Sequence, residues 1–369
     1  MFVRQITLQN FRCYESLTLV FPKDRIYLTG ENGIGKTDII EAIYYLTLGR
    51  SFRKADNTDL IRKGQKEASI FLQYYSEEDD KDHSLSCIIG ANYKVFAYDG
   101  EKVNTLSKIL GKLLAVYYDP SLVFFFKEDP ETRRKFMDEV LSQLSSQYLF
   151  AIGRYKKLLK ERNVALQQNY DIDVINVLRD ELINLSYRIV LERNHLIQKL
   201  NKKANYYYSV LFGNTEKALS LFYRSNCPIV EDQKTYRSKS LEAFENNRSN
   251  ETLRKVTVIG PHRDDITAQL NKNDLAGYGS QGENRLASLS LKLAVLDEMK
   301  EALHNTPILL LDDVTSDLDD TRCRNLLKTI QKENQQVFIT GTTIREGIKD
   351  YHILRINSDR HVQEVTPNE

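Results

Sequence analysis

The sequence has almost no charge imbalance, few cysteines and no long apolar run, and each shortage excludes a class of protein. Its 369 residues carry 52 Lys and Arg against 51 Asp and Glu, a formal net charge of +1. No basic excess announces a nucleic-acid partner and no acidic excess a basic one, so any polyanion site has to be a local patch. No stretch approaches the roughly 18 apolar residues that cross a bilayer, so no membrane is expected. The start, Met1-Phe2-Val3-Arg4-Gln5-Ile6-Thr7, lacks the basic and apolar regions of a secretory signal. Cys13, Cys87, Cys227 and Cys323 form no CxxC pair. Neither a zinc site nor a disulfide framework is suggested, and reduced thiols in a cytoplasmic protein are expected. With 41% apolar and 28% charged residues, the chain reads as globular, with length for roughly two or three domains.

The first 120 residues read mainly as strands. Val3, Ile6 and Leu8, then Leu17, Leu19 and Phe21, alternate as half-buried strands do. Arg25–Thr29 is a short strand ending at Gly30, and from Thr37 a helical stripe (Ile39, Ile40, Ile43, Tyr44) runs to a stop at Gly49. Strand-like runs return over 68–118. From Pro130 to Leu211 glycine and proline nearly vanish. Ile175, Leu178, Leu182, Leu185 and Ile189 make a coiled-coil-like stripe. An earlier stripe, Phe136, Val140, Leu144, Tyr148, Ile152, Tyr155 and Leu159, predicts one partner helix, and 167–173 the turn of an antiparallel hairpin. The continuous apolar runs Pro307–Leu311 and Val337–Thr340 predict buried parallel strands, with helices over about 281–303 and 321–333.

Gly30-Glu31-Asn32-Gly33-Ile34-Gly35-Lys36-Thr37 matches GxxxxGK[ST] between a strand and a helix. Glycines let backbone N–H groups turn toward phosphates, and the helix N-terminus adds its dipole. Lys36 is placed to reach the β and γ phosphates of ATP, and the Thr37 hydroxyl to coordinate Mg²⁺. The strand Ile308–Leu311 ends at Asp312-Asp313. Asp312 would hold Mg²⁺, directly or through water, and Asp313 would orient or deprotonate the attacking water. The two halves of this site lie near opposite ends of the chain, so the helical middle is inserted into one sheet. Ser280-Gln281-Gly282 opens a helix and presents a hydroxyl and free N–H groups to an anion. In ABC-type ATPases such a signature meets the γ-phosphate of the other subunit. Ser316-Asp317-Leu318-Asp319 resembles the D-loop that crosses the same interface.

The whole chain, from about residue 3 to 365, resembles the RecF family of bacterial recombination-mediator ATPases, relatives of SMC heads. The motifs are Leu8-Gln9-Asn10-Phe11-Arg12, Glu31-Asn32-Gly33, Pro130-Glu131-Thr132-Arg133-Arg134 with Asp138, Gly260-Pro261-His262-Arg263-Asp264-Asp265, and Leu311-Asp312-Asp313-Val314. The resemblance implies an α/β fold: an ABC-type P-loop ATPase head (1–118 and 300–369) with an inserted, mostly helical lobe (119–299) carrying the short hairpin and the signature. It implies an ATP-dependent homodimer that binds duplex and gapped DNA and, with RecO and RecR, helps load RecA. It also implies a cytoplasmic, nucleoid-associated location. An SMC-like tether is the alternative. One short hairpin and no hinge domain argue against it.

Several positions depart from the pattern. Asp38 follows Thr37 where the family usually has Asn, and Glu283-Asn284 replaces a Gln-rich pair. Asp119-Pro120-Ser121 stands where a Q-loop glutamine is sought, and Thr340 where transporter ATPases have a switch histidine. The last two, with Asp313 in place of a longer Glu, predict weak ATP hydrolysis. Arg12 and Tyr14 fall where ABC-type heads contact the base or ribose. DNA contacts are expected from Arg50, Arg53 and Lys54 with Arg62 and Lys63, from Arg154, Lys156, Lys157, Lys160 and Arg162, and from Lys199, Lys202 and Lys203 before Tyr206–Tyr208. Such groups would grip the backbone with salt-dependent, largely sequence-independent affinity. His262 and Arg263 lie in a turn that either packs against its own lobe or meets phosphate.

Overall fold

The structure is a computed structural model that describes residues 1–53, 55–213, 216–303, 305–316, 318–331 and 334–365. Lys54 and Asp317 lie outside the described residues. In chain order the elements are β1 (Phe2–Phe11), β2 (Tyr14–Val20), β3 (Arg25–Thr29), α1 (Lys36–Leu48), α2 (Asn57–Leu60), β4 (Glu67–Ser76), β5 (Lys81–Gly90), β6 (Tyr93–Tyr98), β7 (Glu101–Val103) and β8 (Ala115–Tyr118). Then come α3 (Pro130–Leu144), α4 (Ser146–Gln167), α5 (Ile172–Phe212), β9 (Leu219–Arg224), α6 (Gln233–Asn246), α7 (Arg248–Arg254), β10 (Asp265–Leu270), β11 (Asn273–Asp274) and α8 (Leu275–Tyr278). The chain closes with α9 (Gln281–Leu303), β12 (Ile308–Leu311), α10 (Asp320–Gln331), β13 (Val337–Gly341), β14 (His352–Ile356) and β15 (Val362–Val365).

Two compact units result. The first comprises Met1–Leu122, Tyr207–Glu216 and Leu289–Glu369, and the second Val123–Tyr206 and Lys217–Ser288. The first unit holds two sheets. One is antiparallel, in the order β2-β1-β4-β5-β6-β7, and shows the half-buried alternation read from the sequence: Val3, Ile6 and Leu8 are buried. The other has the order β15-β14-β3-β13-β12-β8. Its strands β14, β3, β13, β12 and β8 run parallel, and all four residues of β12 are buried, as a strand covered on both faces requires. The central position of β3 between β13 and β14 delivers the phosphate loop to the carboxyl ends of neighbouring parallel strands, where open α/β sheets bind ligands. Helix α1 buries nearly its whole length and ends at Gly49, whose left-handed φ of 65° lets its N–H reach the Tyr45 carbonyl.

The second unit pairs α3–α5 with a small antiparallel sheet, β11-β10-β9. The single partner helix predicted through Phe136–Leu159 is two. Ser145 adopts an extended conformation (φ −143°, ψ 110°), ends α3, and caps α4 by accepting from the Tyr148 N–H. Buried residues continue on both sides of this break, with Phe136 and Val140 in α3 and Tyr148, Ile152 and Tyr155 in α4. The 41 residues of α5 span about 60 Å.

Candidate ATP site and the charged framework of the second unit

Gly30, Gly33 and Gly35 all have positive φ, at 150°, 76° and 120°. At Gly35 a side chain would be crowded as well as strained: a Cβ would lie 2.6 Å from the Tyr14 hydroxyl and 2.7 Å from Cys13 Sγ, so one of them would have to shift. Tyr14 therefore sits beneath the loop, buried to 2% exposure. Lys36 is folded over the loop, its Nζ donating to the carbonyls of Gly30 at 2.8 Å and Glu31 at 2.7 Å. Burial lowers its pKa, against the pull of Asp313 and Asp312.

Asp312 and Asp313 follow β12. Thr37 Oγ1 donates to Asp312 Oδ1 at 2.9 Å, across 275 residues of sequence. Thr340, at the end of β13, donates to the same oxygen at 2.6 Å and accepts from the Asp313 N–H at 2.9 Å. The threonine found where a histidine was sought thus ties the two aspartates together. Asp313 is held in the left-handed region (φ 47°), with Ser316 Oγ donating to its carboxylate at 2.5 Å. Burial raises the Asp312 pKa, and the two threonine hydroxyls oppose the rise. The buried Asp312 carboxylate keeps Oδ2 without a hydrogen bond from the described residues. That donor set, one hydroxyl and one carboxylate beside a glycine loop of the phosphate-binding pattern, suits Mg²⁺ bound jointly with phosphate oxygens. Among the described residues no group of three or more His, Cys, Asp or Glu forms a self-sufficient metal site.

Beside this site lies a network the sequence reading missed. Glu41, in α1, is fully buried and accepts from Arg12 Nε at 2.8 Å and Nη2 at 2.7 Å, and from Ser51. Arg12 also donates to the Asp59 carbonyl at 2.9 Å, so its guanidinium is engaged with α1 and α2. Arg53, expected among the DNA contacts, donates to Asp38 at 2.9 Å and to Glu41 at 3.4 Å. Burial works against its charge, but Glu41 and Asp38 outweigh it and raise the pKa. The extra carboxylate of Asp38 therefore has its counter-ion within the unit. Arg50 and Lys63 are exposed, and Arg62 pairs with Glu15 at 3.1 Å. Asp319 caps α10 by accepting from the Arg322 N–H at 2.9 Å.

In the second unit, Ser280 opens α9 through a reciprocal capping box: its N–H donates to Glu283 Oε2 at 2.8 Å, and its hydroxyl accepts from the Glu283 N–H at 3.2 Å. Lys217 donates to the other Glu283 oxygen at 2.5 Å. Gln281 is exposed and Gly282 partly exposed. Of the basic residues on α4, Arg154 pairs with Glu181 at 3.1 Å, Lys156 with Asp138 at 2.8 Å, and Lys157 approaches Glu161 at 3.9 Å, while Lys160 is exposed. Arg162 corrects the expectation of a DNA contact. It is 2% exposed and grips Glu251 with two bonds of 3.0 and 2.6 Å. Lys199, Lys202 and Tyr206 are exposed, but Tyr207 and Tyr208 are core.

The sequence motifs at 130–138 and 260–265 meet here. Arg133 forms a bidentate pair with Asp265 at 2.6 and 2.8 Å. Arg193, 1% exposed, donates to Asp138 at 2.8 Å, Asp264 at 3.1 Å, Tyr148 at 3.0 Å and the Pro261 carbonyl at 2.7 Å. His262 bonds Tyr155 through Nδ1 at 2.7 Å and the Thr257 carbonyl through Nε2 at 3.0 Å. Its role is a packed turn. Burial pushes its pKa down to about 4, with the charges of Arg263 and Arg134 adding to the fall. The signal for Arg193 was its place in an apolar helical stripe, which only a buried partner could justify.

A phosphate loop at the end of a parallel strand, a threonine bonded to the aspartate of the neighbouring strand end, and an inserted helical unit define an ABC-type ATPase head. The chain matches the RecF/RecN/SMC N terminal domain over residues 2–356. It is 35% identical to the DNA replication and repair protein RecF of Streptococcus pyogenes serotype M4 (strain MGAS10750), over 98% of this chain and 100% of that protein. To RecF of Exiguobacterium sp. (strain ATCC BAA-1283 / AT1b) it is 36% identical over 92% of each. The solved structure of the recombination mediator protein RecF with ATPrS, in the RecFOR pathway, superposes with a TM-score of 0.89 at 29% identity, covering 99% of this chain and 98% of that one. The Smc head domain of Pyrococcus furiosus shares the fold, with a TM-score of 0.58 at 16% identity, over 100% and 97%. The chain belongs to the RecF family of DNA replication and repair proteins, a family of ATPases. No helix among the described residues is long and apolar enough to cross a membrane.

Proposed function

We propose that this chain is an ATP-gated DNA-binding protein of recombinational repair and replication-fork maintenance. Two copies close on ATP, bind duplex and gapped single-strand/duplex DNA, and act with RecO and RecR to help load RecA. The observation that carries the reading is the Thr37–Asp312 hydrogen bond of 2.9 Å, which supports one Mg²⁺-ATP site built from both ends of the chain. Lys36 would leave the loop carbonyls for the β and γ phosphates, and Thr37 and Asp312 would hold Mg²⁺. Bound Mg²⁺ would neutralise phosphate charge. Asp313 would orient the attacking water, and Ser280, Gln281 and Gly282 would complete the site of the other copy, with Ser316 and Asp319 beside the interface. The division into an ATPase lobe and a helical lobe serves this cycle. The short Asp313 and the capped Ser280 favour slow hydrolysis, stimulated by DNA and used to reset the dimer. The 60 Å reach of α5 is too short for an SMC-like arm.

Sedimentation with and without ATP and Mg²⁺ tests the reading. The wild-type chain is expected to double its mass with ATP, and Ser280→Arg to stay monomeric while still binding ATP. A Ser280→Arg chain that dimerises with ATP contradicts the shared site.

A further inference from the structure

Most buried charges of the second unit are neutralised within it, but those around the Gly260–Asp265 turn are not. Arg193 lies between Asp138 and Asp264, and Lys156 reaches the outer oxygen of Asp138 at 2.8 Å while remaining 61% exposed. Arg134 donates to the Asp264 carbonyl at 2.8 Å. Among the described residues this half-buried guanidinium makes no other hydrogen bond and no ion pair. Burial lowers its pKa and the adjacent Arg193 charge lowers it further, against the pull of Asp265, Glu131 and Asp264. Arg263, next in sequence to Asp264, is exposed, and its side chain also has no partner among the described residues. The nearby carboxylates are engaged elsewhere: Asp265 with Arg133 and Glu131 with Lys135. Four cations, Arg134, Lys156, Arg193 and Arg263, therefore share two carboxylates, Asp138 and Asp264.

A partly desolvated arginine without a carboxylate is costly unless an anion completes it. A guanidinium offers paired N–H groups that match phosphate oxygens. We infer that Arg134 and Arg263 form a phosphate seat for the DNA backbone, continued along α4 by Lys156 and Lys160. The row favours a polymer over a single phosphate, because Lys156 and Lys160 stand one helical turn apart and both are exposed. Neutral His262, locked to Tyr155 and Thr257, fixes the turn that presents Arg263. The inference rests on the DNA-binding reading above and names the surface that performs it.

The test uses the full chain with ATP and Mg²⁺ and a fluorescent duplex, titrated between 50 and 200 mM salt. Arg134→Gln and Arg263→Gln are each expected to weaken binding about three- to tenfold at low salt and to reduce the slope of log K against log salt by about 0.9. ATP affinity should not change. Should Arg134→Gln fail to fold, exposed Arg263→Gln decides alone. Wild-type affinity and slope in a folded Arg263→Gln overturn the seat and leave the DNA reading standing. A wild-type chain that binds no duplex overturns both. Calorimetry with inorganic phosphate is the second arm. If the variants lose phosphate binding but keep DNA binding, the seat takes a small anion and the DNA assignment is overturned.

Discussion

The phosphate loop and the core of the second unit treat buried charge in opposite ways. Around the phosphate loop, Lys36 bonds only neutral carbonyls, and Asp312 is held by two hydroxyls with one oxygen left over. Among the described residues neither has a formal counter-ion in contact, so each retains capacity for a charged ligand. In the second unit, Arg162 and Arg193 are as buried, but Glu251, Asp138 and Asp264 meet their charges directly. Saturated pairs fix architecture, and unsaturated groups mark chemistry. The Gly260–Asp265 turn is the place in the second unit where this rule points outward.

Substitutions can break that contrast. Arg193→Met leaves Asp138 and Asp264 buried with too few partners, and should cost about 3–5 kcal/mol of stability. Denaturant unfolding will show the loss, and ATP affinity should hold. An equal loss of ATP affinity without destabilisation would make Arg193 a ligand group instead. A smaller effect belongs to His262. Its folded pKa, down to about 4, lies below the ordinary value near 6.5. As pH falls from about 6.5 to 4, the unfolded chain takes up a proton that the folded chain refuses. Stability contributed by the neutral ring is therefore complete above about pH 6.5 and lost toward pH 4, by about 3 kcal/mol. His262→Gln should flatten that part of the stability–pH curve. The smallest effect is at the signature helix. Glu283→Gln keeps a residue able to cap Ser280 but removes a negative charge from the helix N-terminus proposed to meet phosphate. ATP-driven dimerisation should tighten about two- to fivefold at low salt and less at high salt. Unchanged dimerisation would mean that the carboxylate is only a cap.

The candidate ATP site could be proposed from the sequence because its signals are local. Gly30–Thr37 is one unbroken stretch, and Asp312 ends a four-residue apolar strand. The break at Ser145 was hidden because the apolar stripe runs through it. Arg162 read as solvent-facing because it follows a run of exposed lysines, and its partner Glu251 is 89 positions away. Arg53 was hidden the same way, since only the folded chain places it against Asp38. Charge pairing between distant segments has no periodicity to betray it, whereas a phosphate loop is written in consecutive residues.

The central claim is that Thr37 and Asp312 jointly hold the metal that accompanies ATP. Calorimetry of ATP binding with and without Mg²⁺, in the wild-type chain and in Asp312→Asn, tests it most directly. Mg²⁺ should strengthen ATP binding in the wild type, and Asp312→Asn should lose about 10- to 100-fold of metal affinity while remaining folded. Full Mg²⁺ dependence in Asp312→Asn would contradict the claim.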